Sequence, residues 1–233
     1  MSPTVVVLGV GPGLGMSIAH RFGREGYDVV LISRSSDRHA GYVSALADAG
    51  VKARAFAVDV RDRDRLLSTL DSIGPVDVVY YGPGSADLDN LPGEITSMNS
   101  DEVRAAMDWI YPAVDVVSHV LPSVVERKGG LLFAGGLSAV RPMPGLGAFA
   151  VSSAALRNYA LTLNAALADK GAYAGSLIVG GVIERGDIHR LVASEPEKFG
   201  NLAEHTLDPD LLAETAWRMF TERDRAEEVF SVF

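Results

Sequence analysis

Gly9, Gly11, Gly13 and Gly15 alternate with Val10, Pro12 and Leu14 directly after the apolar run Val5 to Leu8. Glycine lets a backbone turn tightly and approach another group closely. A helix that begins at such a turn presents free N–H groups and a partial positive charge. Strand, glycine turn and helix in that order form a site for a nucleotide phosphate. The common G-x-G-x-x-G fingerprint fails from Gly9, because Leu14 holds its last place, and from Gly11, because Met16 does. G-x-x-x-G-x-G fits at Gly9, Gly13 and Gly15, and Pro12 and Leu14 in the same turn join the candidate contacts.

A second set of candidates closes the next apolar run, Leu31-Ile32-Ser33-Arg34-Ser35. An acid at that strand end would accept hydrogen bonds from ribose hydroxyls and repel a 2′-phosphate. None is present. Ser33 and Ser35 can donate to a phosphate, and Arg34 can pair with it through two N–H groups. The triplet favours NADP(H) over NAD(H); a solvated loop arginine is the alternative for Arg34. Arg38 and His39 either add to the positive field or are plain surface.

These residues need a scaffold, and the hydropathy pattern supplies one. Strands are expected at Thr4–Leu8, Asp28–Ile32, Ala53–Val58, Val76–Tyr81, Gly130–Ala134, Ala174–Val179 and Glu228–Phe233. Helices are expected at Leu14–Arg24, Asp37–Ala49, Asp62–Ser72, Asp101–Glu126, Ala150–Lys170 and Pro209–Glu222. Continuous apolar strands separated by amphipathic helices imply an α/β fold, a doubly wound seven-stranded parallel sheet of Rossmann type with helices on both faces. Ligands then sit beyond the carboxyl ends of the strands, near the topological switch point. Two stretches are irregular, Gly82–Ser100 and Gly180–Leu207. The second is either a lid over a substrate or a surface excursion.

The chain has 233 residues, which fits one domain over 1–233, and 48% of them are hydrophobic, enough for a core. The net charge of −9 argues against nucleic acid and anionic membranes as partners. With no cysteine, disulfides and thiolate chemistry are excluded. No basic leader and no spanning apolar run is read, so a soluble cytoplasmic protein is the expectation.

By these marks the sequence resembles the short-chain dehydrogenase/reductase family over nearly its whole length. Gly9, Gly13 and Gly15 match its cofactor turn. Asp59-Val60 matches its Asp-Val pair, where the resemblance puts the acid against the adenine. Gly82-Pro83-Gly84 stands where the family carries Asn-Ala-Gly. Leu121-Pro122 closes the long helix, and Ala154-Ala155-Leu156 begins the next. Gly180-Gly181-Val182-Ile183 stands for Pro-Gly-x-Val beside the nicotinamide, so Gly181 and Ile183 are cofactor candidates. The resemblance also implies a homodimer or homotetramer, built on the two long helices.

The family usually works with Asn, Ser, Tyr and Lys. Tyrosine gives a proton as hydride arrives, lysine lowers its pKa, and serine holds the oxygen. In this chain the four places fall on Trp109, Gly136, Phe149 and Ser153. Neither Tyr159 nor Tyr173 has lysine four residues on; positions 163 and 177 are leucine. Phe149 has no ionisable proton and Ser153 no fixed charge. The substitutes in reach are Ser138, two residues past the serine place, and Tyr111, two past Trp109. Each has a bland alternative, a loop-capping serine and a core or interface aromatic. Trp109 offers an aromatic wall for a flat substrate or plain packing. Ser152 and Ser153 read as helix-start residues, one of Tyr80 and Tyr81 as packing, and His20, His119 and His205 as structural, without metal spacing. Glu184, Arg185, Asp187 and His189 either contact a polar substrate or form a solvated run.

Two functions follow. One is an NADP(H)-dependent oxidoreductase with a non-standard site, acting on a small activated electrophile such as an iminium, enone or quinone-like ring. The other is a non-redox enzyme (dehydratase, cyclase or isomerase) or a catalytically silent cofactor-binding protein on the same fold.

Overall fold

The computed structural model describes residues 2–83 and 93–233. In chain order its strands are β1 (Thr4–Leu8), β2 (Asp28–Ser33), β3 (Ala53–Ala57), β4 (Val78–Tyr81), β5 (Gly130–Gly136), β6 (Tyr173–Gly180), β7 (Val182–Ile183), β8 (Thr206–Leu207) and β9 (Glu227–Ser231). The helices are α1 (Leu14–Arg24), α2 (His39–Asp48), α3 (Arg63–Ile73), α4 (Ser100–Met107), α5 (Tyr111–Glu126), α6 (Gly147–Leu167), α7 (Asp187–Ser194), α8 (Pro196–Phe199) and α9 (Pro209–Glu222).

Seven strands form one parallel sheet in the order β3-β2-β1-β4-β5-β6-β9, and β7 and β8 pair separately. The expected α/β architecture is the observed one. Alternation along the strands divides the core. Val6 and Leu8 of β1 pack with α3, α5 and α6 on one face. Val5 and Val7 pack with α1, α2 and α9 on the other. Residues two apart share a face, so every strand feeds both layers. The chain winds from β1 out to β3, then returns to β4 on the other side of β1. That reversal opens a crevice beyond the carboxyl ends of β1 and β4.

Local chemistry sets several ends. Asp62 caps α3, its carboxylate accepting from the Arg65 N–H. Asn99 and Glu102 form a reciprocal capping box at the start of α4. The single helix expected over Asp101–Glu126 is instead two, α4 and α5. Pro112 at the start of α5 has no N–H to give the carbonyl of Asp108, so the helix breaks there. Pro122 does not close α5, which runs on to Glu126. Ala154-Ala155-Leu156 does not begin the next helix. α6 starts at Gly147, which places Ser152 and Ser153 inside it rather than at its cap. The irregular stretch 180–207 contains β7, α7, α8 and a short 3-10 turn.

Candidate functional site

A cleft of about 730 Å³ occupies the crevice. Gly9, Gly11, Pro12, Gly13, Leu14 and Gly15 line one end of it. The close approaches explain the glycines. A Cβ on Gly9 would meet Pro83 N at 2.6 Å, and Gly9 also has φ +79°. A Cβ on Gly15 would meet the Val10 Cα at 2.9 Å. α1 has no side-chain cap and no acid in its first turn. Its bonds to the preceding loop begin with Met16 N–H to Gly11 O and Ser17 N–H to Gly13 O. The N–H groups of Leu14 and Gly15 meet no acceptor outside the helix among the described residues, and they stand at the cleft. This end can hold a pyrophosphate.

Ser33, Arg34 and Ser35 line the adjoining wall. The serine hydroxyls are already engaged. Ser33 Oγ lies 2.7 Å from His39 Nε2 and donates to the Ser35 carbonyl at 3.0 Å, while Ser35 Oγ accepts from the Asp37 N–H. Arg34 has no carboxylate within ion-pair distance among the described residues. Its guanidinium lies 5.7 Å from the Trp109 ring centre. Arg38 pairs with Asp187 at 2.8 Å across the cleft. Of the expected Asp-Val pair, Val60 lines the cleft with Val58, whereas Asp59 is held by Arg61 through two N–H groups at 3.0 and 2.7 Å. Those bonds keep the Asp59 carboxyl below its usual pKa.

Gly82, Pro83, Gly181 and Ile183 also line the cleft; Gly84 lies outside the described residues. The charged run after Ile183 braces its own segment. Glu184 accepts from Thr206 Oγ1 at 2.8 Å, and Arg185 pairs with Asp210 at 2.8 Å and donates to Ser17 Oγ at 3.1 Å. The segment rests on the phosphate turn, since a Cβ on Gly13 would meet Ile183 Cγ2 at 2.9 Å.

The other half of the cleft lies over β5, β6 and the start of α6. Gly136, Ser138, Phe149 and Ser153 meet there. A Cβ on Gly136 would stand 3.6 Å from Ser153 Oγ and 3.7 Å from Ser138 Oγ, so two hydroxyls flank one spot. Tyr111 does not join them. It begins α5 on its outer side, 55% exposed, and is not among the lining residues, because the break at Pro112 resets the helix phase. Tyr81 is packing with one polar task, its phenol donating to the Trp109 carbonyl at 2.6 Å. Tyr80 reaches the cleft beneath Gly82, and burial pushes its phenol pKa up. The motifs gave no signal for the apolar wall of Met143, Leu146, Ile188 and Leu202, which comes from segments far apart in sequence, the stretch before α6, helix α7 and the 3-10 turn after α8. Among the described lining residues the ionisable side chains are Arg34, Asp37, Arg38, Tyr42, Tyr80 and Asp187. Lysine is absent from that set.

The short chain dehydrogenase family model matches residues 3–189. The chain belongs to this family. A 3-dehydrosphinganine reductase of Arabidopsis thaliana is 29% identical over 54% of the chain and 37% of its own length. A short chain dehydrogenase of Pseudocercospora fijiensis is 29% identical over 77% of the chain and 59% of its own length. The chain therefore matches less than two thirds of the length of either relative. In three dimensions a 3-oxoacyl (acyl-carrier-protein) reductase from Agrobacterium tumefaciens, solved with NADP bound, superposes with a TM-score of 0.84 at 21% identity, covering 98% of this chain and 92% of that one. Several neighbours of the same fold are NADP or NADPH complexes. Among the described residues no helix is long and apolar enough to cross a membrane, and no cluster of metal-ligating side chains occurs.

Proposed function

We propose that this chain binds NADP(H) and is an oxidoreductase with a non-standard site, acting on a small activated electrophile. The uncapped start of α1 at the cleft carries the cofactor part of this reading, with Arg34 uncommitted to any carboxylate beside it. Leu14 and Gly15 N–H groups bind the pyrophosphate, and Arg34 takes the 2′-phosphate. Gly181 and Ile183 support the nicotinamide end, and the segment 180–207 serves as the lid. When bound, the nicotinamide supplies or accepts hydride.

The half of the cleft over β5 and β6 supports the substrate part of this reading. Its lining residues Gly136, Leu137, Ser138, Met143, Leu146, Phe149, Ser152 and Ser153 carry no ionisable group. General acid help is worth ~10²–10⁴ in rate, and reducing an ordinary ketone without it leaves a nearly bare alkoxide. An iminium gives a neutral product instead, and an enone or quinone-like ring spreads its charge. Ser138 and Ser153 orient such a substrate by donating hydrogen bonds, and the apolar wall excludes water. On this reading the usual four catalytic places are reassigned, to Trp109, Gly136, Phe149 and Ser153. The same lack of an ionisable group favours a second reading, in which the fold keeps its cofactor but runs a non-redox reaction or none. Exposed apolar side chains on α5 and α6, Tyr111, Val114 and Val151, support a homodimer or homotetramer.

NADPH oxidation over a panel of iminium, enone, quinone and ketone substrates separates these readings, with the double variant Phe149→Tyr, Ser153→Lys run beside the parent chain. The expected result is turnover of the first three classes, with stereospecific deuteride transfer from labelled NADPH, and a gain in ketone reduction for the variant. Conversion of a substrate without any change in nicotinamide absorbance establishes the second reading. No affinity for NADPH by calorimetry removes both.

A further inference from the structure

Trp109 stands where the family usually places a catalytic asparagine, yet its side chain belongs to the other half of the cleft. Two features set this. The break between α4 and α5 leaves the Trp109 carbonyl outside a helical ladder, and the Tyr81 phenol at the end of β4 takes it at 2.6 Å. The indole then lies beside two guanidiniums from the ends of β2 and β3, Arg61 at 4.6 Å and Arg34 at 5.7 Å from its ring centre. Val58, Val60, Ala106 and Ile110 wall the same part of the cleft. The result is an apolar slot with one aromatic face, two guanidiniums beside it and a carboxylate, Asp59, paired to one of them.

We propose that Trp109 is a cofactor-binding residue whose indole forms the stacking wall for the adenine of NADP(H). This rests on the cofactor reading above and adds the residue that grips the base. Asp59 holds the nearer guanidinium, Arg61, whereas Arg34 is exposed and makes no ion pair among the described residues, so a purine reaches the indole by displacing Arg34 from the ring. Indole and purine stack through their π faces without needing a particular donor pattern. Arg34 at the rim is then positioned for the 2′-phosphate, and Arg61 stays on Asp59. The asparagine place has in this chain been turned from the reacting end to the adenosine end.

The experiment uses the full chain carrying Trp217→Phe, which leaves Trp109 as its one tryptophan. Trp217 packs against Phe22 and Tyr27 on the α1–α9 side. Adenosine 2′,5′-bisphosphate and nicotinamide mononucleotide are the probes, read by tryptophan fluorescence and calorimetry. The bisphosphate is expected to change Trp109 emission and the mononucleotide to leave it alone. Trp109→Ala should weaken the bisphosphate by about tenfold, on the scale of one base stacked on one aromatic ring. Trp109→Phe should retain most of the affinity. If the alanine variant loses its fold, the phenylalanine variant and the emission change decide. A response to the mononucleotide alone, or unchanged bisphosphate affinity in a folded alanine variant, overturns the proposal while NADPH still binds. Loss of NADPH binding in the parent chain overturns the cofactor reading and this one with it.

Discussion

Removing Arg34 should cost the chain its preference for NADPH and little else. Three arginines stand near the ends of β2 and β3, and two are committed, Arg38 to Asp187 at 2.8 Å and Arg61 to Asp59 at 2.7 Å. Arg34 makes no ion pair among the described residues; it rests against the Trp109 ring and acts on Asp59 only through its charge. A hydrogen bond from a charged group is worth ~1.5–3 kcal/mol, and leaving an exposed cation–π contact costs ~0.5–1 kcal/mol. The difference is ~1–2 kcal/mol, so Arg34→Ala should raise the Kd for NADPH about 5- to 30-fold. NADH has no 2′-phosphate, and its Kd should move by less than about threefold on the same scale. Arg34 is exposed, so the fold should tolerate the change within ~0.5 kcal/mol. Calorimetry with both dinucleotides at two salt concentrations checks this, and rising salt should erode the parent's preference first. Equal losses for NADH and NADPH would mean that Arg34 acts through the fold or the base. No loss for either would refute its assignment to the phosphate.

Gly9→Ala forces a Cβ to within 2.6 Å of Pro83 N at φ +79°, where backbone cannot yield cheaply. A positive φ costs ~1–2 kcal/mol and overpacking ~1–3 kcal/mol, so the melting temperature should fall by on the order of 10 °C. Gly11→Ala, whose Cβ meets nothing within 4 Å, should leave it nearly unchanged, and equal effects would sink the close-approach argument. Burial lowers the pKa of both His20 and His39. A histidine held neutral in the fold takes up its proton more readily when unfolded. Stability should therefore be full above about pH 6.5 and drop as pH falls through the lowered values. Thermal melts of the parent and of His20→Gln, His39→Gln between pH 7.5 and 5.5 test this; the same slope in both chains would place the titration elsewhere.

What the sequence made legible was whatever local periodicity encodes. β1, α1 and α9 begin and end where hydropathy places them, and the glycine turn sits at the switch point. The misplaced features come from side-chain contacts and breaks that hydropathy does not encode, some local and some from far along the chain. Apolar residues continue on both sides of Asp108, from Ala105 to Met107 and at Trp109 and Ile110, so the pattern over Asp101–Glu126 reads as one helix. Only Pro112 marks the break, and the Tyr81 phenol takes the neighbouring carbonyl of Trp109, which no helical N–H reaches among the described residues. Tyr111 is near Trp109 in sequence, but sequence distance does not say which side of α5 it takes, and it stands on the outer side. Asp59 looked available because nothing in the Asp-Val pair announces that Arg61, two residues on, would close over it. The apolar wall of Met143, Leu146, Ile188 and Leu202 assembles from two distant stretches, the one before α6 and the one that carries α7 and α8, and has no motif.

The phenols left near the cleft do not rebuild proton delivery. A tyrosine serves as a general acid near neutral pH when a fixed cation stabilises its phenolate. Tyr80 has the opposite setting. It is buried, desolvation alone moves its pKa, and the direction is upward, away from the working range. Tyr81 is shifted the same way and already donates its proton to Trp109. Tyr42 lines the cleft from α2, on the side of Ser35 and Arg38, far along the sheet from Ser138 and Ser153. Among the described lining residues the charged side chains thus gather where the proposed reading puts a dinucleotide's phosphates, and that reading leaves the reacting end to hydroxyls and hydrocarbon. Hydroxyls can share a developing charge but cannot discharge it at neutral pH. A substrate that ends neutral or delocalised is the kind such a site can turn over.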